Sequence, residues 1–424
     1  MEEVGSIPLY LLRTKRMARG FFSVDTLGAA TPKQPTLIPQ CEACKLYQKC
    51  KSPKMPVDGE GRKGIMIIGE APGETEDHLN KPFVGKSGRY LQSAMMGSGV
   101  DLRRDCWILN ALACRPPNNQ IGNPKRIDFC RPNVIKAIRQ YKPHTILLLG
   151  TSAIKSVIGW LWKEDVGILQ RWIGWQIPCQ ELNSWLCPLY HPSYLLRKEE
   201  EFSHDRVTRR LFLQQLHAAL ELDQRPWKKI PDYSTKLRLY ESSTEAAAAI
   251  KALASDSATI SFDYETNRLK PDSSSARIVC CAVSNGQRTI SYPWTTETAT
   301  ATKGLLESDI PKYGWNAKFE ERWTRRILDC EVRNWQFDGM LGSHVLDNRS
   351  QTTGLKFQAF VRLGVGPYDA LLKPYLKGAT GNAPNRIHEA PRLKLLEYCA
   401  MDALLEHKLC NILRRELDDA RNNG

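Results

Sequence analysis

Two groups of side chains in this chain are spaced for chemistry. The first is sulfur: Cys41-x2-Cys44, followed at a distance by Cys114 and Cys130. Four thiolates in such an arrangement can hold zinc or an iron–sulfur cluster. A zinc ribbon normally closes with a second Cys-x2-Cys knuckle, which is missing, so spacing alone does not settle the metal. Four ordinary buried thiols are the plain alternative. Cys50 is a competing ligand beside Cys44, whereas Cys106, Cys179 and Cys187 sit in apolar runs where a free Cys packs as a small core residue. The second group is carboxylate. In Phe262-Asp-Tyr-Glu-Thr266 the two-residue alternation of a strand puts Asp263 and Glu265 on one face. In Tyr398-Cys-Ala-Met-Asp402 the four-residue spacing puts Tyr398 and Asp402 on one face of a helix. Paired acids that share divalent cations, with a Tyr to orient water, suit two-metal phosphodiester hydrolysis. Either pair alone is more commonly a solvated surface.

Elements must carry these residues. Gly64-Ile-Met-Ile-Ile-Gly69, Cys106-Trp-Ile-Leu-Asn-Ala-Leu112 and Thr145-Ile-Leu-Leu-Leu-Gly150 read as buried strands, separated by amphipathic segments such as Pro132 to Tyr141. That alternation predicts a parallel sheet covered by helices. A helix is expected from His204 to Leu222, then a linker rich in Pro and charge. Beyond it, Thr259 to Glu265, Arg277 to Val283 and Arg288 to Tyr292 read as strands, with Asn285-Gly286 turning the last two. From Ala390 to Leu417, Leu393, Leu396, Ala400, Ala403, Leu404 and Cys410 form the apolar stripe of a helix. At 424 residues, with 42% hydrophobic and 25% charged residues, the chain is long enough for two or three globular domains and excludes wholesale disorder. No apolar run is long enough to span a bilayer. A net charge of +14 favours a polyanion such as nucleic acid. The acidic start and its short apolar stretch do not suit a secretory signal, so a cytoplasmic or nucleoid-associated protein is expected.

Gly69-Glu-Ala-Pro-Gly73, Lys81-Pro-Phe-Val-Gly-Lys-Ser-Gly88, Leu109-Asn-Ala-Leu-Ala-Cys-Arg-Pro-Pro117 and His191-Pro-Ser-Tyr-Leu-Leu-Arg197 together resemble the family 4 uracil-DNA glycosylases, in order, over residues 41–222. The resemblance implies a three-layer α/β/α sandwich and a [4Fe-4S] cluster on Cys41, Cys44, Cys114 and Cys130. It implies stacking of an extruded uracil on Phe83, reading of its edge by Asn110, and a hydrogen bond from His191 to O2 in the transition state. Glu70 is placed near the attacking water and Glu76 beside the substrate, although Ala71 stands where other glycosylase families have Asp. Lys86, Ser87 and the segment after His191, including Ser193, are expected at DNA phosphates. Gly85-Lys-Ser87 imitates the end of a P-loop, but Asn80 stands where that loop needs Gly, so no nucleotide triphosphate site is expected.

The second acidic group, with Tyr313-Gly-Trp-Asn-Ala-Lys-Phe-Glu-Glu321, Asp338 to Asp347 and Gly354-Leu-Lys-Phe357, resembles the DEDD 3′-5′ exonucleases of the Tyr type, as in the proofreading domains of family A DNA polymerases. That resemblance implies a ribonuclease H-like α/β domain over 241–424. It makes Asp263, Glu265 and Asp402 ligands of two divalent cations, Mg2+ or Mn2+, with Tyr398 orienting water. Glu320 stands where the family has Asp, and the extra methylene is expected to lower the rate. The expected organisation is therefore an extension over 1–40, a glycosylase domain over 41–222, a linker over 223–240 and an exonuclease domain over 241–424. The substrates would be uracil-containing DNA and DNA 3′ ends, with a separately encoded DNA polymerase as candidate partner and no membrane. One alternative is an active glycosylase whose second domain only binds DNA. Another is a non-catalytic iron–sulfur scaffold for nucleic acid, which would have no use for a uracil-shaped pocket.

Overall fold

The computed structural model describes residues 38–162, 165–201, 206–381 and 383–423. The extension expected at the start lies almost wholly outside the described residues, as does the His204 end of the expected helix, which is described as Arg206–Leu220.

The first unit is built on a five-stranded sheet in the order β2-β1-β3-β5-β4. Its strands are β1 (Ile65–Gly69), β2 (Cys106–Asn110), β3 (Thr145–Leu149), β4 (Ile177–Cys179) and β5 (Ser184–Leu189). The first three and β5 run parallel, as the apolar runs predict, because both faces are covered. The Lys125–Tyr141 and Gly150–Trp162 helices bury Val134, Ile138, Ile154 and Val157 on one face. Lys86–Met96 and Arg206–Leu220 bury Leu91, Met95, Phe212 and Leu216 on the other. The short antiparallel edge strand β4 was not legible as a strand.

The second unit holds a six-stranded mixed sheet, in the order β11-β10-β7-β8-β9-β6, from β6 (Leu237–Leu239), β7 (Ile260–Thr266), β8 (Ile278–Ser284), β9 (Thr289–Pro293), β10 (Lys312–Gly314) and β11 (Trp335–Asp338). The Asn285-Gly286 turn joins β8 and β9 antiparallel, as expected. The long Arg392–Asn423 helix packs Leu396, Ala400, Ala403, Leu404 and Cys410 against one face of the sheet. Leu393, expected in that stripe, is 51% exposed, because it precedes the point where the helix meets the sheet.

The two units share packing. The Leu355–Leu363 helix sends Phe357, Phe360 and Val361 into the first unit's core beside Trp162 and Trp172, while Ala359 on its other side belongs to the second unit's core. The helix ends at Gly364, at φ +64°, where any Cβ would strike the Pro178 carbonyl of β4. Gln180 Nε2 donates to Leu363 O at 2.9 Å, and Arg349 Nη1 donates to Gln170 O and Ile173 O, both at 2.7 Å. The segment expected as a linker is packed as well. Arg225 donates to Asn183 O at 2.9 Å, Asn183 Nδ2 donates to Trp227 O at 3.1 Å, and Leu237–Leu239 forms an edge strand on β9.

Candidate active sites and a cysteine cavity

The parallel strands of the first unit end side by side, and the side chains singled out there converge. Gly69 closes β1 opposite Asn110 at the end of β2. A Cβ on Gly69 would lie 2.4 Å from Asn110 Oδ1 and 2.5 Å from Phe83 Cζ, so the missing side chain lets the ring and the amide meet there. Phe83 is buried and adopts φ +55°, an uncommon conformation for a bulky residue. Its loop is pinned from both sides. Arg103 Nη2 donates to Pro82 O at 2.6 Å and Phe83 O at 3.0 Å. Glu76 Oε1 accepts from Val84 N at 3.1 Å and Gly85 N at 2.7 Å, while Oε2 accepts from Gly73 N at 3.2 Å. Oε1 thus holds the Phe83 loop, while Oε2 caps the Glu74–Leu79 helix that carries Glu76.

His191 lies beside Phe83, its ring centroid 6.1 Å from that of the phenyl ring. Its Nδ1 accepts the Ser193 backbone N–H at 3.2 Å and lies 2.8 Å from Ser193 Oγ. That network assigns the proton of the neutral ring to Nε2, which is therefore a donor. Burial, with Arg197 nearby, pushes the imidazole down to about 4, so the ring is neutral at physiological pH. Glu70 Oε2 accepts from Ser152 Oγ at 2.8 Å. Lys86 is exposed on the first turn of the Lys86–Met96 helix, where free backbone N–H groups favour an anion.

Cys41 and Cys44 lie on one helical turn, Cys114 follows the exit of β2, and Cys130 is in the Lys125–Tyr141 helix. All four line one cavity. Cys50 is not among its lining residues; its Sγ donates to Tyr47 O at 3.8 Å. Lys54 N–H points at Cys114 Sγ at 3.2 Å, and Ala113 N–H and Asn133 Nδ2 point at Cys130 Sγ at 3.4 Å. Such donors stabilise thiolates and tune a cluster. Burial pushes the Cys114 thiol up to about 12. The donor set fits an iron–sulfur group.

In the second unit β7 presents Asp263 and Glu265 to the Arg392–Asn423 helix. A ligand atom from each of Asp263, Glu265 and Cys399 lies within 4.8 Å of the others. Asp402 is close enough to raise the Asp263 carboxyl, after burial itself, and is engaged on its other side. Tyr368 donates its hydroxyl to Asp402 Oδ1, and Lys356 Nζ lies 3.5 Å from Oδ2. Lys356 also donates to Tyr398 Oη at 2.6 Å, which leaves the Tyr398 proton free to point elsewhere. Glu320, on the first turn of Lys318–Leu328, is buried, and its Oε2 has no hydrogen-bond partner among the described residues. Acids gathered with orphaned oxygens fit divalent cations.

Sequence reasoning missed Lys356, Tyr368, Cys399 and Ser152. Cys399 stood inside a quoted motif, but its approach to Asp263 depends on how helix and strand dock. Lys356 likewise stood within Gly354-Leu-Lys-Phe357, without a signal for its direction.

The chain matches the family model described as the uracil DNA glycosylase superfamily over residues 56–216 and that described as 3′-5′ exonuclease over residues 237–418. Among curated proteins it is similar to a type-4 uracil-DNA glycosylase of Pyrobaculum aerophilum, 36% identical over 170 residues, which cover 38% of this chain and 82% of that one. Similar relatives with the same description occur in Archaeoglobus fulgidus, at 30% identity over 40% of this chain and 85% of that one, and in Thermotoga maritima, at 30% over 43% and 88%.

Proposed function

In its first unit the chain belongs to the type-4 uracil-DNA glycosylase family, and from that premise we propose a residue-by-residue division of labour for two activities on one polypeptide. The protein is a uracil-DNA glycosylase fused to a metal-dependent 3′-5′ exonuclease. An α/β/α sandwich over 41–222 carries the first activity and a ribonuclease H-like domain over 241–424 the second.

Uracil extruded from DNA stacks on Phe83, whose strained backbone is held by Arg103 and Glu76, and presents its Watson–Crick edge to Asn110. The Asn110 amide accepts from uracil N3–H and donates to O4, a pattern that cytosine reverses at both atoms. As the glycosidic bond breaks, the electron pair moves onto uracil O2. The observation that carries this reading is the His191 tautomer: Ser193 N–H occupies Nδ1, so Nε2–H is the donor that meets the growing charge. Glu70, held by Ser152, is the acid assigned to the attacking water. Lys86 and Ser87 position the phosphates, whereas Ser193, expected at a phosphate, turns both of its donors to His191 Nδ1 and acts through that ring, and Glu76 acts through the loop rather than on the base. Cys41, Cys44, Cys114 and Cys130 would hold a [4Fe-4S] group, which when bound would tie the lead-in turn to the helix beyond β2.

Two divalent cations, when bound at Asp263, Glu265, Asp402 and Glu320, would supply the charge stabilisation that phosphodiester cleavage needs. Tyr398, its oxygen fixed by Lys356, turns its own proton toward the incoming water. A separately encoded DNA polymerase is the partner class suited to such an exonuclease. His191→Ala and Asp263→Asn test the assignment: the first should remove cleavage at uracil and spare 3′ trimming, the second the reverse. Loss of both products in either variant would contradict the division.

A further inference from the structure

The second half of the Arg392–Asn423 helix lines a cleft of about 530 Å³, together with the turn between β8 and β9 and with Leu363, at the end of the helix that the two units share. From the long helix the cleft takes Lys408, Arg414 and Arg415, against a single acid, Asp418. Lys236 adds a fourth cation at the turn, where its Nζ donates to Gly286 O and Gln287 Oε1, both at 2.9 Å. None of the four is ion-paired among the described residues. Arg414 Nη1 donates to Tyr313 Oη at 2.5 Å and Gln336 Oε1 at 3.0 Å, and Arg415 Nε donates to Asn411 O at 3.1 Å. Lys408 Nζ lies 5.2 Å from the centroid of the Tyr233 ring. These neutral partners fix the cations without cancelling their charge. Burial, with Lys236 nearby, holds the Lys408 ammonium below its ordinary range, as expected where no acid offsets it. The helix dipole does not account for the gathering, because it favours cations in the last turn and these three precede the turn that ends at Asn423. Nor is the cleft part of the acidic site. Asn411, which lines it, follows Asp402 by about two and a half turns and so lies on the other side of the helix.

We propose that this cleft binds the phosphate backbone of a nucleic-acid strand at a place distinct from both active sites, with Lys408, Arg414 and Arg415 as the contacts. Cations strung along a helix suit successive phosphates of a strand better than one small anion, and a guanidinium matches phosphate oxygens two at a time. The Gln287 amide, its oxygen taken by Lys236, presents its N–H groups as neutral donors at the same wall. Leu363 borders the cleft and Gly364 meets β4, so a strand held there lies where the two units pack together. The proposal goes beyond the two activities and takes from them only that the substrate is a polyanion.

The test is binding of a fluorescein-labelled single-stranded oligonucleotide to the full, cluster-loaded chain in EDTA, read as anisotropy over a series of salt concentrations. Each phosphate met by a cation adds about 0.7 to the slope of log affinity against log salt on a single strand. Arg415→Gln, at an exposed position that the fold does not need, should therefore lower the slope by about 0.7, and Lys408→Gln with Arg415→Gln by about 1.4. Lys408→Arg with Arg415→Lys should keep the wild-type slope, which marks the loss as one of charge. An unchanged slope in the single and the double Gln variants would overturn the proposal. So would a deoxynucleoside monophosphate or polyglutamate whose binding the double Gln variant loses while the oligonucleotide slope stays, because the cleft would then serve a free nucleotide or an acidic protein. The readout is binding without turnover, so it stands apart from the success or failure of either assigned activity.

Discussion

Replacing Phe357 by Ala should destabilise the unit to which Phe357 does not belong in sequence. The ring is 2% exposed and lies among first-unit aromatics, with centroids 5.2 Å from Trp172, 6.1 Å from Trp175 and 6.2 Å from Trp162. The Arg171 guanidinium stands 4.5 Å from the ring centroid. Truncating a buried Phe costs roughly 3–5 kcal/mol, since transfer free energy is lost and a cavity remains. The aromatic and cationic contacts favour the upper half of that range, about 4 kcal/mol. For a unit of this size each kcal/mol lowers Tm by about 2–4 °C, so the first unit should melt roughly 8–16 °C lower. Near-ultraviolet circular dichroism reads this directly, because Trp162 and Trp172 sit at the lesion. Phe357→Leu, which preserves most of the volume, should recover the greater part of the loss. A first-unit transition unmoved by Phe357→Ala would refute the shared core, and the helix would then belong to the second unit alone.

Three further outcomes follow from the sites. His191 and His407 are both pushed down to about 4 by burial, so each takes up its proton in the unfolded chain before the folded one. Their stabilisation is complete above pH 6.5 and is lost as pH falls from 6.5 toward 4, which urea midpoints at pH 7 and pH 4.5 should show. Because His191 acts neutral, the rate of uracil excision should have no inflection near pH 6.5; an inflection abolished by His191→Gln would oppose that assignment. Asn110→Asp presents only acceptors when ionised and, when protonated, a donor and acceptor that fit cytosine, so uracil excision should fall at least about 100-fold and a trace of cytosine excision should appear. No change in the ratio between the two bases would remove Asn110 as the reader.

Much of the two sites was legible because the informative residues lie at strand ends or at fixed helical spacing. Asp263 and Glu265 share a face by strand alternation, and Tyr398 and Asp402 by helical spacing, and both pairs meet in the fold. What resisted reading depends on direction in space. The positive φ of Phe83 comes from Arg103 and Glu76 gripping its loop, and no local propensity of Pro82-Phe83-Val84 announces it. Glu76 looked like a substrate ligand because acids near a site are candidates, whereas its distance to three backbone N–H groups gives it a scaffold's task. The Phe357, Phe360 and Val361 pattern marks a buried helix face without saying whose core buries it. The stretch with Pro and charge near Arg225 reads as a linker, yet its guanidinium and Trp227 are held by the turn at Asn183.

The most direct measurement of the central claim uses the full chain, purified without oxygen, on a 5′-labelled oligonucleotide carrying one central uracil. The DNA is incubated with EDTA or with Mg2+ and then split by alkali. The account predicts a single cut at the uracil in EDTA and, in Mg2+, an added ladder shortening from the 3′ end. An intact strand in EDTA would contradict the glycosylase assignment, and a ladder that persists in EDTA would contradict the divalent-cation site.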